Sequence, residues 1–345
     1  MNLGRDSSID IIRGIAIFTM VAANMAAHSF IAPHPFIFRL YGTFAAPIFI
    51  FLSGMMVGYA HHLKKYKFNY YLVRGGLILL VGVLLDVICW RTLPFTTVDV
   101  LYLIGISMPL AGLFVRMNDK IKPFIIILIF ALTPLLQKIF GYTDYPSEWN
   151  LSGELNSAAI TTNQTSVLHH WLIDGWFPLF PWLGIALLGS MMAKFRIEDQ
   201  NKFSNRSLYF AISSLAVGIT LWNLFPGKSL TRDGYSELFY PPTLGYLFTA
   251  LGIIFSLFFI VGKIQDSKLL IPWRMLGSAS LFMYIFHYLI IAFVISPFVE
   301  PQSLKKFIML YLMVITLLTA VAFWIYDLKQ KRKTLPFLVR FFIGS

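Results

Sequence analysis

Apolar residues run along this chain in long unbroken blocks. Ten such runs stand out, at roughly 9–28, 41–60, 75–93, 98–115, 123–140, 171–192, 207–225, 239–262, 276–297 and 307–326. A membrane-spanning helix needs about 20 mostly apolar residues. Continuous runs of that length predict helices, because the strands of a membrane barrel would alternate at every second position. The breaks carry turn or charge signals such as Pro94, Pro123, Pro226-Gly227 and Pro241-Pro242. The pattern predicts an all-α polytopic membrane protein of about ten transmembrane helices. It is uniform over residues 1–345, which predicts a single transmembrane domain. We find no clear internal repeat and no low-complexity stretch.

Composition sharpens this picture. Hydrophobic residues make up 57% of the chain and charged residues 13%, with 33 phenylalanines and a mean hydropathy of +0.71. A soluble domain carries roughly 25% charged residues. A cytosolic globular protein, a disordered chain and a disulfide-rich secreted domain are therefore excluded, the last also because Cys89 is the sole cysteine. The net charge of +12 would suggest nucleic acid in a soluble protein. Here its distribution decides. Ten spans bring both termini to one side. With the termini in the cytoplasm, 21 of the 28 basic residues fall inside, and only Arg39, Arg91, Lys138, Lys228, Arg232, Lys305 and Lys306 fall outside. That asymmetry matches the positive-inside rule. The basic charge is topological, and no nucleic-acid partner is expected. Asp10 and Arg13 interrupt the first apolar run, so it reads as a retained span and not as a cleaved leader.

Ionisable groups inside spans are costly and therefore informative. Asp10 and Arg13, three apart, share a face of the first helix near its cytoplasmic mouth. They read either as an ion pair that fixes the helix start or as a contact for an anionic cofactor. Asn24 and His28, four apart, share a face near the outer end. Pro33-His34-Pro35 follows at once, and flanking prolines restrict the backbone around one imidazole. Such a histidine suits a general base, whose pKa must lie near neutrality; an ordinary loop histidine is the alternative. His61-His62 beside Lys64, Lys65 and Lys67 reads as an interfacial basic cluster, Asp86 needs a partner that the sequence does not name, and His287 with Tyr284 and Ser280 reads as helix packing. Gly54 and Gly58 have the small-residue spacing of a helix interface. The segment 141–170 ends in His169-His170-Trp-Leu-Ile-Asp174-Gly175, an HHxxxDG string that soluble condensation-type acyltransferases use, and we treat the match as coincidental. It nevertheless places His170 and Asp174 four apart near the outer vestibule. Asn150-Leu-Ser152 and Asn163-Gln-Thr165 are sequons. No zinc-type spacing, phosphate loop or nucleophile elbow is present.

Asp10-x-x-Arg13-Gly14-x-Ala16, running on to Asn24, resembles the opening helix of the transmembrane acyltransferase superfamily, and within it the heparan-α-glucosaminide N-acetyltransferase catalytic family. Phe44-Ala-Ala-Pro47 through Gly54 resembles that family's second helix, Asp174 through Gly184 its PLxPWLG segment, and Leu276 through His287 its late LGxxSLxxYxxH helix. The resemblance implies transfer of an acyl group, acetyl by analogy, from cytoplasmic acetyl-CoA or another acyl-CoA to an acceptor across the lipid bilayer. It implies Asn24 and His34 as the functional pair, with His28 as the competing imidazole, Arg13 and Asp10 near the coenzyme phosphates, and Asp174 or His170 orienting the histidine or the acceptor. No metal is expected. The animal enzymes' large luminal amino-terminal domain has no counterpart in this sequence, and a sugar or glycan of a bacterial envelope is the expected acceptor, with the protein in the plasma membrane. A homodimer is an open partner state. The competing readings are a transporter or flippase for a small or lipid-linked metabolite, and a structural partner with an inactive site.

Overall fold

A computed structural model describes residues 6–143, 148–154, 166–227, 237–331 and 336–344. Arg5, Lys228, Arg232, Arg332, Lys333 and the sequon at Asn163 lie outside these residues. The helices are α1 (Ser7–Ser29), α2 (Phe36–Thr43), α3 (Ala45–Lys64), α4 (Phe68–Trp90), α5 (Val100–Phe114), α6 (Lys122–Phe140) and α7 (Val167–Asp174). They continue as α8 (Leu179–Glu198), α9 (Gln200–Leu224), α10 (Leu244–Ile264), α11 (Ile271–Ser278), α12 (Ser280–Phe298), α13 (Leu304–Lys331) and α14 (Phe337–Ile343). Among the described residues, eight helices are long and apolar enough to cross a membrane, or nine when α7 and α8, bent by 54°, form one broken span. The 15-residue apolar α5 accounts for the remaining run. Each of the ten apolar runs thus has a helical counterpart, and the chain is an all-α polytopic membrane protein.

Helix α1 is the axis. Its apolar residues cover every face, the signature of a helix buried all round. Ile9, Ile12, Ala16 and Met20 pack into one hydrophobic cluster, with α3, α5, α8 and α10. Ile17, Val21, Met25 and Ala26 pack into a second, with α11, α12 and α13. Lipid offers no hydrophobic drive between helices, so close backbone approach through small residues carries much of the packing. Gly54 of α3 sits against the Ala186 carbonyl of α8, where an added Cβ would lie 1.8 Å from that oxygen. Gly58 meets Ser190 and Ala193 in the same interface. Gly277 of α11 approaches the Asp10 carbonyl of α1 equally closely. By contrast α6 and α9 turn large apolar side chains outward, among them Phe124, Ile127, Ile212 and Ile219. Those faces meet hydrocarbon, where the helical backbone satisfies its own hydrogen bonds.

Candidate active site

The start of α1 is fixed by charge. Asp6 caps the helix, accepting from the backbone amides of Ser8 at 3.0 Å and Ile9 at 3.4 Å. The same carboxylate accepts two bonds from Arg196 of α8, Nε at 2.6 Å and Nη2 at 2.9 Å, and one from the Tyr59 hydroxyl of α3 at 3.0 Å. Arg196 is almost wholly buried and lies over the rings of Phe203 and Phe258. Burial works against ionisation of Asp6, but the bonds and charge of Arg196 and the Tyr59 hydroxyl outweigh it and hold the carboxyl below its ordinary value. One turn on, Arg13 lies 3.6 Å from the buried Asp10 carboxylate. The predicted ion pair is present, and both of its members also line a cavity.

That cavity, of about 630 Å³, follows α1 through the bundle. At one end it is lined by Asp6, Arg13, Lys64, Tyr66 and Arg74. Its middle is apolar, with Met20, Phe49, Met56 and Met108. At the other end stand Asn24, Asp99, Glu237, Tyr284 and Tyr288. The chamber is therefore cationic at one mouth and carries polar and acidic groups at the other. The far end is tied together by hydrogen bonds across helices. His287 Nδ1–H donates to the Met283 carbonyl at 3.3 Å, which leaves Nε2 to accept from the Asn24 amide at 3.0 Å. Tyr284, whose ring lies against His287, donates its hydroxyl to Asp99 at 2.9 Å. Asp99 in turn caps α5, accepting from the Val100 amide.

The sequence-predicted residues separate in space. Asn24, Arg13 and Asp10 line the chamber; among the described residues, His34, His28 and Asp174 do not. His28 stacks on Trp90 at 5.5 Å between ring centres. His34 stacks on Phe30 at 4.7 Å and meets the Phe30 carbonyl through Nε2 at 3.3 Å, in the loop between α1 and α2. Burial, with Arg39 adding to it against the pull of the Phe30 carbonyl, keeps the His34 imidazole below its ordinary pKa. Its ring is thus neutral at pH 7, as a base must be. Asp174 lies at the end of α7, where His170 Nδ1 donates to its Oδ1 at 2.7 Å. Asp86 finds its partner in the Tyr102 hydroxyl, which donates at 2.6 Å.

Sequence reasoning missed three participants. None of Asp6, Arg196 and Asp99 was singled out along the chain. The Asp99-Val100 junction carried a capping signal; nothing in the sequence pointed Arg196 at Asp6, 190 residues away. His287 was read as a packing residue, and its partner proves to be Asn24.

The fold defines a polytopic helical membrane protein with an internal chamber that is basic at one mouth. Residues 5–225, more than half of the 345, match the family described as heparan-alpha-glucosaminide N-acetyltransferase, catalytic. The chain belongs to that family of transmembrane acetyltransferases. The matched region holds α1, α3 and the Asp174–Gly184 segment, and it ends before the Leu276–His287 motif. A comparison with curated proteins found no matching relative.

Proposed function

We propose that the protein transfers an acyl group, acetyl by family analogy, from cytoplasmic acetyl-CoA to a hydroxyl or amine of an envelope sugar on the opposite side of a bacterial plasma membrane. The observation that carries this reading is the chamber itself, which joins a cationic mouth to Asn24 along one helix. Arg13 and Asn24 are eleven residues apart, about 16 Å along an α-helix. An elongated thioester with an anionic head fits that span, with its phosphates at Arg13, Lys64 and Arg74 and its acyl end at Asn24. Arginine suits phosphate because its planar fork donates two parallel bonds. Asp10 holds the Arg13 guanidinium at the chamber wall.

At the outer end the acceptor's oxygen or nitrogen attacks the thioester carbonyl while an imidazole takes its proton. The tetrahedral oxyanion collapses, expelling the coenzyme thiolate, which leaves with a proton. An amide donor such as Asn24, aimed at the developing oxyanion, is worth roughly 3–4 kcal/mol. We assign the base to His34, which the family resemblance implies and which lies just beyond the outer end of α1, outside the chamber wall, so that the acceptor would reach in from His34 toward Asn24. His287 is a second reading, favoured by its 3.0 Å bond to Asn24. Asp174 is bonded to His170, and the resemblance points to His34 ahead of His28; we give neither Asp174 nor His28 a proton-transfer step.

The test uses the purified full chain in liposomes with radiolabelled acetyl-CoA inside and envelope sugars outside. Label is expected to appear on the outer sugar and to be lost in Asn24→Ala. Loss in His34→Ala with retention in His287→Ala and His28→Ala assigns the base to His34, and the converse moves it. Binding of acetyl-CoA without transfer to any acceptor, or transport of an intact metabolite, would overturn the reading.

A further inference from the structure

Away from the chamber, three potential metal ligands converge where α6 ends and α7 turns into α8. His169 Nδ1 lies 2.9 Å and His170 Nδ1 2.7 Å from the same oxygen, Asp174 Oδ1. His170 and Asp174 are fully buried, and the His169 side chain is 14% exposed. We propose that His169, His170 and Asp174 form a binding site for a divalent transition-metal ion of the zinc type. The sequence pattern led us to expect no metal here, and nothing in the proposed acyl transfer uses one.

The hydrogen bonds of His169 point to a cation. Its Nε2 meets the Phe140 carbonyl at 3.2 Å, and only an N–H can satisfy that oxygen. In a neutral imidazole the other nitrogen is then a bare lone pair. That nitrogen, Nδ1, is buried and receives no hydrogen bond. It faces a carboxylate oxygen, which is also an acceptor. Two acceptors held together in a dry site repel each other unless a cation lies between them. A single proton on His169 would satisfy this pair alone. A metal ion satisfies all three atoms at once, and with both histidines' Nδ1 turned to one carboxylate it would replace the proton that His170 now donates.

The surroundings fit the same reading. A ligating histidine almost always donates its second ring N–H to a carbonyl or carboxylate, as His169 does to Phe140, and ligating carboxylates are themselves hydrogen-bonded. Asp174 Oδ2 accepts from the Thr143 amide at 3.3 Å. The backbone explains how adjacent histidines reach one carboxylate. Residues 170–174 form a π-turn, closed by the Gly175 amide on the His170 carbonyl at 2.9 Å. Its wider i→i+5 turn sets Asp174 between the directions of His169 and His170, whereas on an α-helix a residue five away diverges. Gly175 closes it where an added Cβ would lie 2.6 Å from that carbonyl. Two imidazoles and a carboxylate suit zinc over magnesium or calcium, which prefer all-oxygen shells. Ligand atoms on a tetrahedral zinc with bonds of about 2.0–2.1 Å stand about 3.3 Å apart, so binding asks the two imidazole nitrogens to move off Asp174 Oδ1 by about half an ångström. Three protein ligands leave a fourth position for water. The bound ion would lock the bend between α7 and α8 to the end of α6.

Metal content decides the matter. The full-length protein in detergent would be stripped with chelator, loaded with zinc, freed of excess metal and measured by mass spectrometry. A parallel cobalt titration would be read by visible absorption. The wild type is expected to retain about one zinc per chain and to show the intense bands of four-coordinate cobalt. His169→Gln and Asp174→Asn are expected to retain below about a tenth of that while eluting as the wild type does. Wild-type zinc below about 0.1 per chain would overturn the proposal, and so would variants that keep the wild-type content. His169 is the partly exposed ligand and Gln can still donate to Phe140, so this variant tests the site if Asp174→Asn fails to fold. If neither variant folds, the zinc content and cobalt spectrum of the wild type decide by themselves.

Discussion

The two ends of α1 solve the same problem in opposite ways. At the Asp6 end, a buried arginine, a tyrosine and two backbone amides converge on one carboxylate. At the Asn24 end the contacts are neutral: an amide on an imidazole, His28 stacked on Trp90, and His34 stacked on Phe30. A buried ion pair is unforgiving, because removing one partner strands the other charge. A neutral amide–imidazole pair holds weakly and can exchange its partner for a ligand. The charged end anchors the helix, and the Asn24 end, whose contacts to α1 are uncharged, is where the acyl transfer proposed above would take place.

Breaking the anchor should have the largest effect. Arg196→Ala leaves the Asp6 carboxylate buried without its cation, and we expect a loss of about 3–5 kcal/mol, measured by thermal unfolding in detergent. Asp6→Asn combined with Arg196→Met should recover much of that loss; no recovery would show that Arg196 acts mainly by packing on Phe203 and Phe258. At the other end, Asn24→Ala should lower acyl transfer by about 100- to 1,000-fold with little change in the unfolding midpoint. A variant that loses stability and activity in parallel would make Asn24 a second anchor and erase the contrast.

The pH dependence separates the ends further. Asp6 has a depressed carboxyl in the folded protein, so its stabilisation is fully present above the ordinary value of 3.8 and is lost as pH falls through the folded value below it. Unfolding midpoints should therefore drop at acid pH in the wild type, and less steeply in Asp6→Asn. The His34 pKa lies below 6.5, so activity that depends on this base should fall only as pH drops below that point. An acid limb that persists in a partly active His34→Gln variant would assign the limb to another group. The smallest expected effect is that of Tyr59→Phe, which removes one of several bonds to Asp6 and should cost about 0.5–1.5 kcal/mol.

Much of the membrane architecture was legible along the chain, because a bilayer imposes a local rule: each span must be apolar for its own length. All ten runs became helices on that account, even where α5 is short and α7–α8 is bent. The Asp10–Arg13 pair was legible for the same reason, since three residues on a helix is a local distance. Gly54 and Gly58 were legible as packing positions, though not that Ala186 and Ser190 would meet them. Asp86 announced a need without a partner until Tyr102 arrived from the next helix. The far end was read less well. Asn24 and His34 are close in sequence, yet Asn24 faces the chamber and bonds to a histidine 263 residues on.

The sequence by itself determined that this chain is a bundle of membrane helices belonging to an acetyltransferase family, and it marked α1 as a span that carries ionisable residues. The helices follow from hydropathy within single segments, and the family from the match over residues 5–225. Only the tertiary structure decided that Arg196 clamps Asp6, that Asn24 meets His287, and that a π-turn points two histidines at Asp174. Each of these depends on how helices cross and where a turn widens. Such crossings are set by close contacts such as Gly54 on Ala186, whose effect reaches side chains hundreds of residues apart.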